Sequence, residues 1–409
     1  MLRWRPKCLY DVKSVYSMSA SEVRAEIRKA SKSRVSSAKH WDALMYRTSV
    51  ISRELSLSDI SVILDSISAF PKYQSKLFVK CLLDRIDKKL LAHSSPTDLS
   101  MVLRNVVEMQ IFTELELVDF FSKLSPSILA KLDSSCARLV DLERVASVVC
   151  RFRGSEEIRA KISKTVLSKV TLGKESVKVL TNLLNCLVPG FARWGEADMH
   201  IYEDEQEPFF QATPTPLHVP AVGKLLNACI EKSNLFSHTD ILVFASAVAR
   251  IPLHSLAELG HPTIVPIAAL ISRLISKERF QFKPSEITQL ICLSHTVRFP
   301  IDVAPLLSEF IYKIRDFRPA NCVRIWKHEG SRCEKLVEAV TARLLKYDAN
   351  TTLTGPDLLD VADLVVLSNG AYSRKALLTS LAPNFRRNTD LDLEAITAQL
   401  QNANNSYAA

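Results

Sequence analysis

Apolar residues recur along this chain with the period of an α-helix. The first clear block has its apolar side chains at Ile60, Ile63, Leu64 and Ile67, which would share one helical face. Equivalent sets follow in residues 99–107 and 241–248. Each block is followed by a second amphipathic stretch, the first at 77–90. The pattern therefore predicts helices that occur in pairs.

Each block also begins with a sequence typical of a helix start. Four segments place Ser or Thr three residues before an acid, and a fifth has lysine in the hydroxyl position: Ser56 with Asp59, Ser95 with Asp98, Ser237 with Asp240, Thr354 with Asp357, and Lys283 with Glu286. In this capping box the hydroxyl accepts an unpaired backbone N–H, and the acid reaches back to the cap. Weaker copies begin near Asp141, Ser176 and Asn321. The starts are 35 to 46 residues apart, except for one interval of 64.

A helix pair of this size cannot bury its apolar face alone, so such pairs stack on their neighbours. The chain has only 9 glycines in 409 residues, which argues against the tight turns of a β-sandwich or barrel. The sequence predicts an all-α fold, an α-solenoid of roughly eight degenerate two-helix repeats.

The long interval contains an acidic, proline-rich insert at 189–221. We interpret it as an exposed loop between N-terminal repeats at 41–188 and C-terminal repeats at 222–382. A second interpretation is that its acids cover a basic groove. His200 and His218 lie among its carboxylates, but their irregular spacing favours a solvated loop over a metal site. A polar tail at 383–409 follows the repeats.

The net charge of +9 is unevenly distributed. Residues 1–40 hold ten basic and three acidic residues, a balance of +7, which leaves +2 for the remainder. A basic, Ser-rich and acid-poor beginning is typical of a mitochondrial transit peptide, so we predict a matrix protein. The alternative is a basic arm that binds phosphates. If the segment is cleaved, the pI of 9.0 is no evidence for nucleic-acid binding.

No catalytic or cofactor motif is found in the sequence. Phosphate-binding loops, dinucleotide-binding glycines, the nucleophile elbow and paired zinc-binding histidines do not occur. The nine cysteines are scattered and none forms a C-x-x-C pair, which indicates buried, reduced thiols and no zinc site. No apolar run reaches the roughly 18–20 residues of a membrane span. We predict a non-enzymatic protein without metal or cofactor.

Two interior stretches are basic: 144–178 with a balance of +6, and 313–346 with +5. Cations on one face would follow a phosphate backbone, and exposed aromatic rings would stack on unpaired bases. The predicted phosphate contacts are Arg151, Arg153, Lys161, Lys164, Arg315, Arg318, Arg324 and Lys327, with Trp326 as the stacking residue. The competing interpretation places these charges on solvated outer helices and Trp326 in the core.

The repeat resembles the heptatricopeptide-type repeats of Fas-activated serine/threonine kinase-like and RAP-domain proteins. The resemblance depends on 57–64 (LSDISVIL), 98–103 (DLSMVL) and 240–245 (DILVFA), and covers about 55–380. It implies mitochondrial RNA handling in stability, processing, translation or ribosome assembly. The RAP domain that normally ends such proteins is not seen in 383–409, and no base-reading residues transfer.

We therefore predict a protein that binds RNA, single-stranded or ribosomal, alone or within a ribonucleoprotein, and we predict no DNA partner. The rival prediction is a protein-binding scaffold or structural subunit of a mitochondrial complex, since repeat solenoids bind peptides and helices as well as RNA.

Overall fold

A computed structural model describes residues 15–35, 37–132, 138–150, 155–169, 172–188, 217–259, 265–296, 301–329 and 334–345. Within these ranges every regular element is helical, so the all-α prediction is confirmed for this part of the chain. The predicted tail at 383–409, most of the acidic insert and the helix start at Thr354 lie outside the described residues. The chain divides into two compact units, Met1–Ala228 (unit 1) and Cys229–Ala409 (unit 2).

The described α-helices are numbered here in chain order. Unit 1 contains α1 (Ala20–Lys32), α2 (Ala38–Val50), α3 (Leu57–Ser68), α4 (Lys76–Leu83), α5 (Lys88–His93), α6 (Pro96–Glu108), α7 (Glu114–Leu132), α8 (Leu139–Val149), α9 (Glu156–Ser168) and α10 (Val177–Leu187). The boundary between the units falls within α11 (Val219–Glu231). Unit 2 continues with α12 (His238–Ala249), α13 (Leu253–Glu258), α14 (Val265–Glu278), α15 (Pro284–Thr296), α16 (Ala304–Tyr312), α17 (Pro319–Glu329) and α18 (Glu334–Leu345).

The helices of unit 1 pack in two series. In the first series, α1, α3, α6, α8 and α10 contact one another in that order. In the second series, α2 contacts α4, and α7 contacts both α5 and α9. Contacts of α1 with α2, α6 with α7, and α8 with α9 join the two series. A first-series helix therefore has neighbours on several sides, which is why Ile60, Ile63, Leu64 and Ile67 are fully buried.

Unit 2 has the same alternation. In its first series, α12 contacts α15, and α15 contacts α17. In its second series, α14 contacts α16, and α16 contacts α18. Contacts of α12 with α14, α15 with α16, and α17 with α18 join the series within each pair.

The capping chemistry predicted from the sequence is present at the starts of α3 and α12. At α3, the Ser56 hydroxyl accepts the Asp59 N–H at 3.2 Å, and the Asp59 carboxylate accepts the Ser56 N–H at 3.0 Å. Ser237 and Asp240 repeat this arrangement at α12. Half of it remains at α15, where Glu286 accepts the Lys283 N–H at 2.8 Å. These side chains replace the helical partners that the first N–H groups lack.

A buried apolar residue precedes four of these starts, directly after a short 3-10 turn. The turns are Ser52–Glu54, Ser233–Leu235, Arg279–Gln281 and Ile314–Asp316, and the buried residues that follow them are Leu55, Phe236, Phe282 and Phe317. An apolar residue just before the cap is positioned to pack on the first turn of the helix and to fix the direction of chain entry. Three of the turns thus lead a second-series helix into the next first-series helix, and Ser233–Leu235 joins α11 to α12.

The capping acids also contact the preceding first-series helix. Arg24 of α1 forms an ion pair with Asp59 of α3 at 2.7 Å. The Thr97 hydroxyl of α6 donates to Asp141 of α8 at 3.0 Å. Burial raises the pKa of Asp141, but hydrogen bonds from Arg138 and then Thr97 hold it below its usual value. Within unit 2, His238 Nε2 of α12 lies 3.8 Å from Glu286 of α15. Asp59 and Glu286 therefore serve both helix capping and contact between repeats, whereas Asp141, at the same position, accepts the Arg138 guanidinium rather than a backbone N–H.

The cap prediction can be tested with two serines of the same helix. Replacing Ser56 by alanine removes the hydroxyl that accepts the Asp59 N–H, and we expect unfolding to become easier by about 1 kcal/mol. Ser58, also exposed, is the matched control, and Ser58→Ala should change stability by less than about 0.5 kcal/mol. Urea denaturation followed by circular dichroism measures both. Equal effects of the two substitutions would contradict a capping role for Ser56.

The helix α1 lies inside the predicted basic arm at 1–40. It begins with the same capping box, in which Glu22 accepts the Ser19 N–H at 2.7 Å, and this bond lowers the pKa of Glu22. Its Val23, Ile27 and Ala30 are fully buried. Glu22 precedes Asp59 by 37 residues, within the spacing of the other starts. Helix packing therefore begins before residue 41. The predicted boundary between a basic arm and the repeats at residue 40 would separate α1 from the helices that it contacts.

Candidate nucleic-acid interface

The predicted phosphate contacts of unit 1 are only partly placed by the structure. Lys161 and Lys164 lie three residues apart on α9, where Lys164 is exposed and Lys161 is half-buried. Arg151 and Arg153 lie outside the described residues. The structure thus puts two of these four cations on one helix, with side chains directed to neighbouring positions of its surface.

Two other cations of this region hold helix ends. Arg159 is 6% exposed, and its guanidinium donates to the Ser155 hydroxyl at 3.2 Å and to the Cys150 carbonyl. Lys224 donates to the carbonyls of Leu167 (2.9 Å) and Lys169, at the C-terminal end of α9. A cation at a helix C-terminus offsets the partial negative charge of the free carbonyls. Because Arg159 is buried, the net charge of the 144–178 stretch overstates the charge that a ligand can contact.

The predicted phosphate contacts of unit 2 are all described. Arg315 lies in the turn Ile314–Asp316, and Arg318 directly precedes α17; both are exposed. Arg324 and Lys327 lie three residues apart on α17, the first half-buried and the second exposed. The Arg315 carbonyl accepts a hydrogen bond from Arg343 of α18 at 3.0 Å, which adds another cation to this end of the unit.

Trp326 lies in the core of unit 2, with 2% of its surface exposed. A ring buried in this way has no open face for a base, so the structure corrects the assignment of base stacking to Trp326. Phe317, the other aromatic residue of the basic stretch, is also 2% exposed and contacts Phe310 edge-to-face at 4.7 Å. The interpretation of Trp326 as a packing residue fits its position.

Two aromatic residues that the sequence reasoning missed are exposed in unit 2. Phe280, in the turn Arg279–Gln281, is 65% exposed, and Tyr312, the last residue of α16, is 85% exposed. The Arg279 guanidinium lies 4.5 Å from the centre of the Phe280 ring. Lys313 donates to the Phe280 carbonyl at 3.3 Å, which brings the end of α16 to this turn. In the sequence, each of these two aromatic residues stands next to a cation at the end of an amphipathic helix, and this pattern could have indicated them.

A further basic surface lies on α1 of unit 1. Arg24, Arg28, Lys29 and Lys32 line a shallow depression together with Ala25 and Ser33. Arg24 is held by Asp59, and Lys29 lies 3.6 Å from Glu26. These cations belong to the segment predicted as a transit peptide, and the structure makes them part of a packed helix.

Five of the six free cysteines in the described ranges are buried core residues, and Cys81 is half-buried. Burial raises the pKa of both Cys292 and Cys322 to about 12, and it also raises that of Cys229. A thiol with so high a pKa stays protonated near neutral pH and is a poor nucleophile or metal ligand. Among the described residues, no group of three or more His, Cys, Asp or Glu side chains is arranged to hold a metal ion.

The fold and surface thus define an all-α protein with exposed cations at the ends of its helices. No protein-family model matches the chain, and comparison with curated proteins finds no significant match. Of the helices in the described ranges, none combines the length and apolar character required to cross a lipid bilayer.

Proposed function

We propose that this chain is a non-catalytic helical-repeat protein of the mitochondrial matrix that binds RNA, in RNA stability, processing, translation or ribosome assembly. The observation that carries the proposal is the set of exposed cations in unit 2. Arg315, Arg318 and Lys327 lie on α17 and the turn before it, within a series of packed helices. Cations along such a surface suit the regular charge of a phosphate backbone.

The serial contacts of the helices support the solenoid part of this proposal. In each unit, a first-series helix contacts the next first-series helix, and a second series accompanies it. Stacked helix pairs of this kind present long surfaces formed by equivalent positions of successive repeats. An extended polymer such as RNA contacts several repeats at once, so modest individual contacts add up.

Binding of the full chain to single-stranded RNA across a salt series tests the proposal. We expect affinity to fall steeply as salt rises, because bound phosphates release counterions. Substituting Arg315, Arg318 and Lys327 by glutamine should weaken binding and reduce the magnitude of the logarithmic salt slope by about 2, since each single-strand contact contributes about 0.7.

The control for this experiment removes the same charge elsewhere. Lys72, Lys88 and Lys89 are exposed and lie outside both basic stretches, so their triple glutamine variant should keep the affinity and slope of the unmodified chain. Equal losses in the two triple variants would reduce the effect to net charge. An unchanged affinity in the unit 2 variant would remove these residues from the interface.

The mitochondrial part of the proposal depends on the residues before α1. Arg3, Arg5, Lys7 and Lys13 precede the packed helix, with Asp11 as the one acid among them. Apolar residues between cations suit import receptors that recognise a basic amphipathic segment. A chain tagged at its C-terminus should enter mitochondria, and substitution of these four cations by glutamine should prevent entry.

A protein-binding scaffold is the second candidate function, and an apolar surface in unit 1 favours it. Tyr46 and Val50 lie four residues apart on α2 and are 61% and 56% exposed. Tyr16 contacts Tyr46 edge-to-face at 5.8 Å and extends this surface. Exposed apolar clusters often mark protein contacts. A partner that remains bound after nuclease treatment, and is lost when Tyr46 and Val50 are replaced by glutamate, would favour the scaffold.

A further inference from the structure

Phe280 and Tyr312 occupy related positions in successive second-series helices of unit 2. Phe280 lies in the turn that follows α14, and Tyr312 ends α16 just before the turn Ile314–Asp316. The hydrogen bond from Lys313 to the Phe280 carbonyl joins the two positions, and α16 contacts the turn that contains Phe280. Two large aromatic rings are therefore exposed on a helix and a turn that contact each other.

The surroundings of the two rings are positively charged. Residues 277–283 and 309–318 hold six basic residues and three acids, a balance of +3. One acid, Glu309, is paired with Lys313 at 2.5 Å. Arg279 lies over the Phe280 ring, and Arg315 is exposed three residues after Tyr312. A ligand that fits this surface carries both negative charge and flat apolar faces.

An unpaired nucleic-acid strand has both properties. Its phosphates are negatively charged, and the flat faces of its bases are accessible. In a duplex, the bases are stacked in the interior. Base stacking on an aromatic side chain contributes about 1–3 kcal/mol per base and tolerates any sequence. Acidic proteins would satisfy the cations but leave the exposed rings without a comparable partner. Charge and ring exposure together therefore favour a single strand.

We propose that Phe280 and Tyr312 form a stacking platform for unpaired bases of RNA, with Arg279 and Arg315 beside them to contact phosphates. This inference depends on the proposed RNA-binding function and specifies its ligand as single-stranded. It assigns the aromatic part of the interface to two residues at helix ends, where the sequence alone had pointed to Trp326.

The test compares two RNA probes of equal length, a labelled 20-nucleotide oligouridylate and a blunt duplex, each binding to the full chain. Replacing Phe280 or Tyr312 by alanine should weaken binding of the single strand by about five- to a hundred-fold, while affinity for the duplex stays unchanged. The salt slope should also stay unchanged, because no cation has been removed. Phe280→Tyr and Tyr312→Phe should retain binding.

Leu235 provides the matched control. It is 64% exposed in the corresponding turn Ser233–Leu235, but it has no aromatic face, so Leu235→Ala should keep the affinity for both probes. All three positions are exposed, and thermal unfolding of the variants should match that of the unmodified chain.

The possible failures are distinguishable. If the unmodified chain binds the single strand and the alanine variants bind it equally well, the platform is overturned while RNA binding stands. If the unmodified chain binds neither probe, the proposed function fails and the platform with it. If the variants keep RNA affinity but lose a nuclease-resistant protein partner, the rings belong to a protein interface and the platform is overturned.

Discussion

Deletion of residues 1–36 is expected to destabilise unit 1 severely relative to the full chain. The deletion removes α1 and starts the chain at Ser37, the cap of α2. It also removes Val23 and Ile27, which are fully buried in contacts that include α3. Burial of such side chains contributes about 1.5–3 kcal/mol each, so their loss costs about 3–6 kcal/mol, a large part of the stability of a domain.

Urea denaturation followed by circular dichroism measures this effect, and a point substitution refines it. In the full chain, Ile27→Ala should cost about 2–5 kcal/mol, and Arg28→Ala, at the neighbouring exposed position, less than about 0.5 kcal/mol. Identical unfolding midpoints for the deletion variant and the full chain would show that α1 is dispensable. The expected result limits a transit peptide to the residues before α1, because cleavage at residue 40 would remove a packed helix.

The helix starts could be predicted from sequence because capping is local chemistry. At Ser56 and Ser237, a hydroxyl and an acid three residues later satisfy backbone groups within the same turn, and no distant residue is needed. The apolar spacing after each start predicted the buried face for the same reason. At α15, Lys283 provides no hydroxyl at the cap, but half of the capping box is kept because Glu286 accepts the Lys283 backbone N–H.

The earliest start was missed although its signal is the same. Ser19 and Glu22 form a capping box, and Val23, Ile27 and Ala30 follow at helical spacing. Because residues 1–40 are rich in cations, they were predicted to form a targeting segment, although they also contain this helix-start pattern. The cations of α1 lie on one side of the helix, where they line a surface depression, so basic composition and a packed helix are compatible.

The candidate site was less predictable because exposure depends on tertiary packing. Arg159 and Lys164 belong to the same basic stretch, yet the first is buried against the Cys150 carbonyl and the second is exposed. Trp326 sits among cations in the sequence and lies in the core, while Phe280 and Tyr312 are exposed at helix ends. The net charge of a sequence segment cannot distinguish cations that bind the carbonyl groups at helix ends from exposed cations that a ligand can contact.

The second large effect on stability is expected at Trp41, a core residue of unit 1. Its ring is fully buried, stacks on Tyr73 at 5.2 Å and contacts Phe70 at 5.5 Å. Its indole N–H donates to the Val35 carbonyl at 2.8 Å, which ties the segment after α1 to α2. Trp41→Ala leaves a large cavity, and we expect it to destabilise the protein by about 3–5 kcal/mol.

Two further variants separate ring packing from the hydrogen bond. Trp41→Phe keeps an aromatic ring but leaves the Val35 carbonyl without this donor, so a smaller loss of about 1–3 kcal/mol is expected. Tyr46→Ala, on the exposed face of the same helix, should cost less than about 1 kcal/mol. The urea unfolding midpoint should therefore be highest for Tyr46→Ala, lower for Trp41→Phe and lowest for Trp41→Ala. If Trp41→Ala proved no worse than Tyr46→Ala, the aromatic cluster would not be part of the stabilising core.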